Sequence, residues 1–313
     1  MQIFDHQHTT SALPFDQLLT AIEKMFVSGC HVPLRHIHPI VDDNNRQDGI
    51  LLLMPSWLPQ KWMAVKTVSI FPDNHTRGLP GLHSVVILYD AQTGRPVAVL
   101  DGDAITSRRT AAASALAARW LSREDSRTLL VLGAGRVGAL LPEAYRCVRP
   151  IDKVLVWNPS RGKAEQMVSQ LNQQGFQATL AEDLAAACAD ADIISCATLS
   201  TEPLIRRAWL KPGTHLDLIG SFTPAMRESD DACFDGTSVF IDTEEALIKA
   251  GDILSPLQTG ILKKEDIRAT LTDLCRGIHP GRQHADEITV YKAVGTALED
   301  LASAVLAYAP QDV

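Results

Sequence analysis

The sequence predicts the α/β fold class, with a doubly wound parallel sheet domain joined to an α+β N-terminal domain. Three observations predict it. Short apolar segments separated by turn residues fill positions 34–100, an alanine-rich helical stretch covers 104–121, and from residue 128 apolar strands alternate with helical segments. We place the N-terminal domain at 1–115 together with a C-terminal helix at 295–313, and the parallel-sheet domain at 116–294.

Composition narrows the classes of partner. The chain has 313 residues, 46% of them hydrophobic and 21% charged, and can bury a sizeable core. A net charge of -8 argues against nucleic acid or an anionic membrane as partner. We expect no membrane span and no secretory signal, because Asp5, His6 and His8 stand where a signal needs basic and then apolar residues. Six scattered cysteines without a C-x-x-C pair predict reduced thiols in the cytoplasm.

The N-terminal domain is predicted to begin with a helix and to continue as a sheet. In residues 14–28 the apolar side chains fall on one helical stripe. Segments rich in Val, Ile and Leu follow at 34–41, 50–54, 62–71, 83–90 and 96–100. Their short spacing and intervening turn clusters favour a mostly antiparallel sheet.

A glycine-rich turn opens the second domain. The apolar run Leu129–Leu132 is followed by Gly133, Gly135 and Gly138 in the spacing G-x-G-x-x-G, which is typical of a Rossmann-type dinucleotide site. The first glycine would allow the turn, the second the approach of a pyrophosphate, and the third the packing of the helix on the strand. A purely structural turn is the alternative. Pro142 predicts that the first helix is short or bent.

The rest of this domain alternates between strands and helices, which indicates a parallel sheet covered on both faces. We predict strands at 128–133, 153–157, 176–179, 192–197, 214–219 and 237–241, and helices at 161–173 and 183–188. A last helix is predicted from about 289 to 308, and it would return to the N-terminal domain.

The end of the second parallel strand bears on the choice of nucleotide. An NAD site usually has an acidic residue there for the ribose 2′-hydroxyl, whereas this strand ends in Trp157 and Asn158. Ser160, Arg161 and Lys163 then offer a hydroxyl and two cations to a 2′-phosphate, so NADP(H) is preferred and NAD(H) is the alternative. The two cations oppose the dipole of the helix they begin, which favours a bound anion over a merely solvated helix start.

Two arginines at the start of the alanine-rich helix indicate a second anion site. Thr106 is a plausible N-cap, and it would put Arg108 and Arg109 in the first turn, where cations are unfavourable unless an anion binds. The alternative is a pair of ordinary exposed arginines.

Lys66 is a third candidate. By strand alternation it shares an apolar face with Ala64 and Val68, where a lysine needs an anionic partner or a lowered pKa. The alternative is an edge strand whose lysine deters aggregation.

Other polar residues give weaker signals. Arg35 precedes His36 and His38, but spacing places no third ligand, so no metal is predicted. Thr198 and Ser221 end two predicted strands at the edge where open α/β sheets bind ligands, with ordinary loop hydrogen bonding as the alternative.

Taken together, these stretches resemble the ornithine cyclodeaminase/μ-crystallin family. The resemblance covers nearly the whole chain, and the block from Thr93 to Ala118 is more specific than the glycine motif. It is carried by LLLMPSW, KTVSIFPDN, TGRPVAVLDGDAITSRRTAAASALAA, GAGRVG, ATLSTEPLI and EITVYKAVGTALEDLA.

The resemblance implies roles for individual residues. Arg35, Lys66 and Arg109 match the positions that hold a substrate carboxylate beside the nicotinamide, a task suited to the paired hydrogen bonds of a guanidinium. It also implies a homodimer built through the N-terminal domain, which would bind the substrate. The positions matching the pyrophosphate loop, the adenosine-phosphate end and the cofactor lining are Ala134, Gly135, Arg136, Val137, Asn158, Ser160, Lys163, Thr198, Leu199, Ile219 and Ser221.

The chain departs from true ornithine cyclodeaminases at two positions. Those enzymes have a glutamate two residues before the Met-Pro pair and an aspartate after the fifth strand, where this chain has Leu52 and Phe222. Phenylalanine can neither take nor give a proton. The segment IGSFTPAMRESD is closer to the μ-crystallin type, which includes ketimine reductases.

The sequence therefore predicts an NAD(P)H-dependent oxidoreductase that acts on the C–N bond of a small imino or amino acid. Hydride would pass from nicotinamide C4 to the imine carbon, with Lys66 or a water as proton donor. The alternatives are an ornithine cyclodeaminase, an alanine dehydrogenase-type deaminating enzyme, and a non-catalytic protein that binds NADPH or another ligand.

Overall fold

The computed structural model describes residues 1–43 and 46–309, without the side chain of His75. The chain divides into two compact units, of which unit 1 comprises 1–109 with 296–313 and unit 2 comprises 110–295. The predicted C-terminal helix at 295–313 includes residues 310–313, which lie outside the described residues.

The first part of the chain is rich in consecutive strands, whereas strands and helices alternate over much of the second part. The first part forms β1 (Gln2–Phe4), α1 (His6–Ser11), α2 (Phe15–Ser28), β2 (His36–Val41), β3 (Gln47–Leu58), β4 (Trp62–Ile70), β5 (Leu82–Asp90), β6 (Pro96–Asp101) and α3 (Gly102–Leu121). The second part forms β7 (Thr128–Leu132), α4 (Leu141–Arg146), β8 (Lys153–Trp157), α5 (Arg161–Gln173), β9 (Gln177–Leu180), α6 (Leu184–Asp190), β10 (Ile193–Cys196), β11 (His215–Leu218), β12 (Ser238–Ile241), α7 (Ala246–Lys249), α8 (Gly251–Thr259), β13 (Ile267–Thr270), α9 (Leu271–Cys275), β14 (Thr289–Lys292) and α10 (Ala297–Tyr308).

Unit 1 is built on a sheet with the strand order β1-β6-β5-β4-β3-β2. Its neighbouring strands run antiparallel, except for β1, which pairs in parallel with β6. The mostly antiparallel sheet expected from the sequence is therefore confirmed. Helix α10 packs on α2 and on the central strands β3, β4 and β5. The stripe of α2 that includes Leu18, Ile22 and Phe26 is buried, as its periodicity predicts.

Helix α3 begins earlier than expected. The N–H of Ala104 donates to the Asp101 carboxylate at 2.7 Å, so an acid at 101 satisfies the first turn. The assignment of Thr106 as N-cap is wrong, and both arginines that follow it lie beyond the first turn, where the dipole argument for an anion does not hold. Arg108 donates from Nε to the Leu13 carbonyl oxygen at 2.7 Å, so it ties elements of unit 1 together.

Unit 2 contains an all-parallel sheet in the order β13-β12-β14-β11-β10-β7-β8-β9. The predicted α/β fold class, with a doubly wound Rossmann-type sheet unit and an α+β unit, is confirmed. Leu132 is in register with Trp157 on one side and with Cys196 on the other. The loops that follow β7, β8 and β10 therefore start at one edge of the sheet.

The predicted helix at 289–308 is wrong over its first part. Residues Thr289–Lys292 form β14, a buried strand between β11 and β12. A β-branched, aromatic run with burial on both faces favours a strand, and short apolar runs do not distinguish the two structures by periodicity. The helix starts only at Ala297, after Gly295 with φ 75° and the N-cap Thr296, whose hydroxyl accepts from Leu298 N–H.

Within the described ranges, every helix is too short or too polar to cross a bilayer.

Candidate active site

The turn after β7 takes its shape from its glycines. Gly133 has φ 101°, and a Cβ there would lie 2.5 Å from the Ala197 carbonyl oxygen. A Cβ on Gly138 would overlap the carbonyl oxygen of Gly133. A Cβ on Gly135, in contrast, would meet no atom within 4 Å. The fold itself requires the first and third glycines, whereas the second leaves open space at the backbone, which fits the close approach of a pyrophosphate.

The helix after this turn is short, as the proline within it predicts. A 3-10 turn at Gly138–Leu140 leads into the six residues of α4, with Pro142 in the first turn, where a missing N–H is tolerated. A bound phosphate would therefore contact the backbone of the glycine turn itself rather than the N-terminus of a long helix.

Asn158 joins the glycine turn to the loop after β8. Its Oδ1 accepts from Ala134 N–H at 3.1 Å, and its Nδ2 donates to the Ser160 carbonyl oxygen at 3.0 Å. An aspartate at this position could accept the first bond and could not donate the second. The carboxamide thus ties together two of the loops that line one cleft.

This cleft has a volume of about 550 Å³, a size typical of small-molecule sites. Among the described residues, its lining includes eight of those predicted to contact a cofactor: Gly133, Ala134, Gly135, Asn158, Ser160, Lys163, Thr198 and Leu199. The other predicted contacts lie outside that lining: Arg136, Val137, Arg161, Ile219 and Ser221.

Arg161 is already engaged with acids. Its Nε lies 2.7 Å from Glu165 and its Nη2 lies 2.8 Å from Glu182, with all three side chains exposed. Of the two cations predicted to meet a 2′-phosphate, Lys163 lines the cleft while Arg161 forms exposed ion pairs.

The two hydroxyl residues at the strand ends have local partners. Thr198 donates from both N and Oγ1 to the same carboxylate oxygen of Glu228, at 2.7 and 2.8 Å. The Ser221 hydroxyl donates to the Met226 carbonyl oxygen and accepts from Asp252 N–H. The loop hydrogen bonds considered as an alternative are therefore present, and Thr198 lines the cleft as well.

A buried cluster in unit 1 holds two of the predicted substrate-binding cations. Lys66 Nζ lies 2.6 Å from Asp300 Oδ2, and Arg109 Nε lies 3.2 Å from Asp300 Oδ1. Arg109 Nη1 also lies 2.7 Å from Glu299 Oε2. Since β4 lies between β3 and β5, the edge-strand interpretation of Lys66 is wrong.

The environment of Lys66 changes its acidity. Burial lowers the pKa of Lys66 to about 8, the carboxylate of Asp300 opposes this change, and the positive charges of Arg109 and Arg35 add to it. Arg35, the third predicted member, therefore lies close enough to act on Lys66 electrostatically. An ammonium group with this pKa is protonated at neutral pH and can give up its proton at little cost.

We name five residues the carboxylate-binding cluster, after the role that the sequence predicts for its three cations: Arg35, Lys66, Arg109, Glu299 and Asp300. With every member ionised, three cations face two carboxylates, and one net positive charge remains. This balance suits a ligand that carries a single carboxylate, because burying an unmatched charge is costly.

Both acids of the cluster were missed from the sequence. Glu299 and Asp300 lie in the first turn of α10, in an otherwise apolar stretch, and both are buried. Two adjacent acids on an apolar helix are the signal that could have identified them, because such residues are rarely buried without partners.

A model of the ornithine cyclodeaminase/mu-crystallin family matches residues 3–310. The chain belongs to this family. One relative is a Δ1-pyrroline-2-carboxylate reductase of Paracoccus denitrificans, 39% identical over 257 residues, which are 81% of each chain.

Solved structures of related proteins agree with this family assignment. The Thermococcus litoralis Δ1-pyrroline-2-carboxylate reductase, in complex with NADH and L-proline, has a TM-score of 0.91 and 31% identity, covering 98% of this chain and 96% of that one. An archaeal alanine dehydrogenase dimer with bound NAD has a TM-score of 0.91 and 27% identity, covering 100% and 97%. The predicted enzyme class, an NAD(P)-dependent oxidoreductase of the ornithine cyclodeaminase/μ-crystallin family, is confirmed.

Proposed function

We propose that this family member is an imine reductase of the ketimine reductase type, which reduces the C=N bond of a small imino acid to the corresponding amino acid. The observation that carries the proposal is the buried carboxylate-binding cluster with its single excess positive charge. The glycine turn and its cleft support the binding of a nicotinamide dinucleotide.

In the proposed mechanism, Arg35, Lys66 and Arg109 bind the substrate carboxylate and orient the imine. When bound, a reduced nicotinamide would supply the hydride for the imine carbon. The C=N π electrons then move to nitrogen, and this nitrogen takes a proton from Lys66 or from a water. Asp300 keeps the ammonium of Lys66 in place and opposes the lowering of its pKa by burial.

For the cofactor we propose a preference for NADP(H), with NAD(H) as the alternative. Asn158 stands where an acid would hold the ribose 2′-hydroxyl, and Ser160 and Lys163 line the cleft beside it. The ion pairs of Arg161 weaken this preference, since they neutralise one of the two cations.

We further propose a homodimer formed through unit 1. Strand β2 is an edge strand, and Ile37 and Val41 on it are exposed, as is Leu34 just before it. Exposed apolar residues on an edge strand indicate a surface that pairs with another chain. Light scattering should give twice the 34.1 kDa chain mass, and loss of the dimer on Ile37→Lys would locate the interface.

The reductase proposal is tested by NAD(P)H oxidation with Δ1-pyrroline-2-carboxylate as substrate. Lys66→Met should lower kcat/KM by roughly a hundredfold or more and leave the dinucleotide Kd unchanged. The matched control is Lys61→Met, an exposed lysine next to the same strand, which should stay within about twofold. Full activity of Lys66→Met would contradict the proposal, and tight NADPH binding without turnover of any imino acid would favour a non-catalytic ligand-binding protein.

An amino-acid dehydrogenase is the second candidate, favoured by the similarity to the archaeal alanine dehydrogenase. It needs the same carboxylate-binding cluster and a pocket that admits free ammonia. NAD(P)H oxidation with pyruvate plus ammonia that exceeds the rate on the cyclic imine would rank this activity first.

A further inference from the structure

A buried acid in unit 2 joins two loops at the carboxyl edge of the sheet. Oε1 of Glu228 accepts from Thr198 N and Oγ1, in the loop after β10. Its other oxygen, Oε2, accepts from Gly220 N at 2.6 Å, in the loop after β11. Glu228 is 0% exposed, so water does not compete for these bonds.

The two loops approach so closely that no side chain fits between them. Cys196 is the last residue of β10 and is in register with Leu218, the last residue of β11. A Cβ on Gly220 would overlap the Thr198 carbonyl oxygen and would lie 2.4 Å from Glu228 Oε1. The carboxylate therefore holds two backbone segments in direct contact, and a substitute group must keep both its acceptor positions.

Other buried groups hold Glu228 in its place. Its N–H donates to Asp252 Oδ1 at 2.9 Å, and Lys292 Nζ lies 4.0 Å from Asp252 Oδ2 while donating to the Leu218 carbonyl oxygen at 2.9 Å. Burial raises the pKa of Glu228 to about 8, and Asp252 adds to this, whereas Lys292 and the bonds from Thr198 oppose it. The side-chain oxygens of Glu228 receive N–H and O–H donors in these contacts, an arrangement that favours the ionised form.

At Thr198 the loop after β10 is held by the bonds to Glu228, and two residues further on the Ser200 carbonyl oxygen accepts from Arg227 N–H at 2.8 Å. Thr198 and Leu199 both line the cleft beside the glycine turn, yet the Leu199 side chain is 76% exposed. Burial of Leu199 does not anchor this part of the cleft, whereas the bonds from Thr198 to Glu228 do.

We propose that Glu228 is a positioning residue for the dinucleotide, which sets cofactor affinity through Thr198 and Gly220 without touching the cofactor. The inference rests on the proposed function, since it concerns the same cleft.

The test is the Kd of NADPH and of NADH, measured by nucleotide fluorescence without imino acid. In Glu228→Gln the amide oxygen can accept from one loop only, and the NH₂ group faces an N–H of the other. We expect both Kd values to rise about tenfold or more, while the KM for the imino acid at saturating cofactor stays unchanged.

A matched control comes from another buried carboxylate of unit 2, Asp217 on β11. Tyr145→Phe removes the hydroxyl that donates to Asp217 Oδ2 at 2.8 Å, away from the cleft lining. It should lower Tm and leave both Kd values as they are. If Glu228→Gln behaves in the same way, its role is merely structural and the inference is overturned.

A double-mutant cycle with Thr198→Val tests the route of the effect. If Glu228 acts through Thr198, the two substitutions together should raise the dinucleotide Kd by clearly less than the product of the two single fold-changes. Full additivity of the binding free energies would contradict the inference.

If Glu228→Gln does not fold, Thr198→Ser and Thr198→Val provide the test. Thr198→Ser keeps the hydroxyl donor, so it must bind the dinucleotide more tightly than Thr198→Val. If the unsubstituted protein binds neither dinucleotide, the proposed function fails and this inference fails with it. Tight binding by both the unsubstituted protein and Glu228→Gln defeats the inference alone.

Discussion

The side-chain nitrogen of Lys66 lies 2.6 Å from Oδ2 of Asp300, and each of these side chains is only 2% exposed. The other oxygen of the same carboxylate lies 3.2 Å from Arg109 Nε, so one acid holds both cations. Because a buried ion pair contributes little net stability and is costly to break from one side, we attribute this arrangement to function rather than to stability.

Activity should decrease as pH rises through about 8. Lys66 is protonated below its pKa of about 8, and above it the neutral amine can neither pair with a carboxylate nor donate a proton. Asp300→Asn removes an influence that raises this pKa, so the alkaline limb of the kcat/KM profile should move to lower pH. Glu299→Gln is the matched control, because the Glu299 carboxylate contacts Arg109. This substitution should shift the alkaline limb by less than Asp300→Asn does. A limb that stays in place in Asp300→Asn would exclude Lys66 as the titrating group.

Alanine substitutions in the glycine turn should separate ligand binding from folding. Gly135→Ala places its methyl group in open space, so Tm should change by no more than a few degrees while the dinucleotide Kd rises about tenfold or more. Gly138→Ala collides with the Gly133 carbonyl oxygen and should lower stability by about 2 kcal/mol or more. Thermal denaturation and nucleotide titration measure the two effects. Unchanged affinity in Gly135→Ala would mean that no phosphate approaches this turn.

Releasing Arg161 should shift cofactor preference toward NADPH. Glu182→Gln removes one of its two acidic partners, and because an exposed ion pair is weak, the Kd of NADPH should fall by about fivefold at most relative to that of NADH. The effect should disappear when Arg161→Met is combined with it, and it should shrink in high salt. An equal change in the Kd of NADPH and of NADH would mean that Arg161 does not contact the 2′-phosphate.

The unsubstituted protein should release no ammonia from ornithine. Leu52 and Phe222 stand at the two acidic positions of the cyclodeaminase pattern, so neither Leu52→Glu nor Phe222→Asp alone should provide the activity. Phe222 is 45% exposed and should tolerate the change, whereas Leu52 pairs with Val68 inside the sheet and its replacement should cost about 1–3 kcal/mol. Ammonia and proline formed from ornithine by the unsubstituted chain would overturn this assignment.

Much of the fold of unit 2 could be predicted because its signals are local. Strand β8 and helix α5 have the bounds that their periodicity predicts, and the glycine spacing marked the turn after β7. Prediction failed at Thr289–Lys292 because a short apolar run is compatible with both a helix and a strand. It also failed at the start of α3, because the capping residue Asp101 lies before the segment with helical periodicity.

The sites could be predicted only in part, because their partners are distant in sequence. The apolar face around Lys66 indicated that the lysine needs an anion, but nothing near it in the chain identifies Asp300. Glu228 was missed for a similar reason, since its importance depends on the register of β10 with β11. The burial pattern of a sequence predicts which charged residue needs a partner, and only the folded structure identifies that partner.

The position of α10 at the end of the chain has a consequence for biosynthesis. Arg109 leaves the ribosome 190 residues before Glu299, and Lys66 earlier still. Until translation reaches α10, these cations lack their carboxylate partners, although every strand of the parallel sheet in unit 2 has by then been made. A polypeptide that ends before Glu299 should therefore contain all of unit 2 and lack both acids of the cluster.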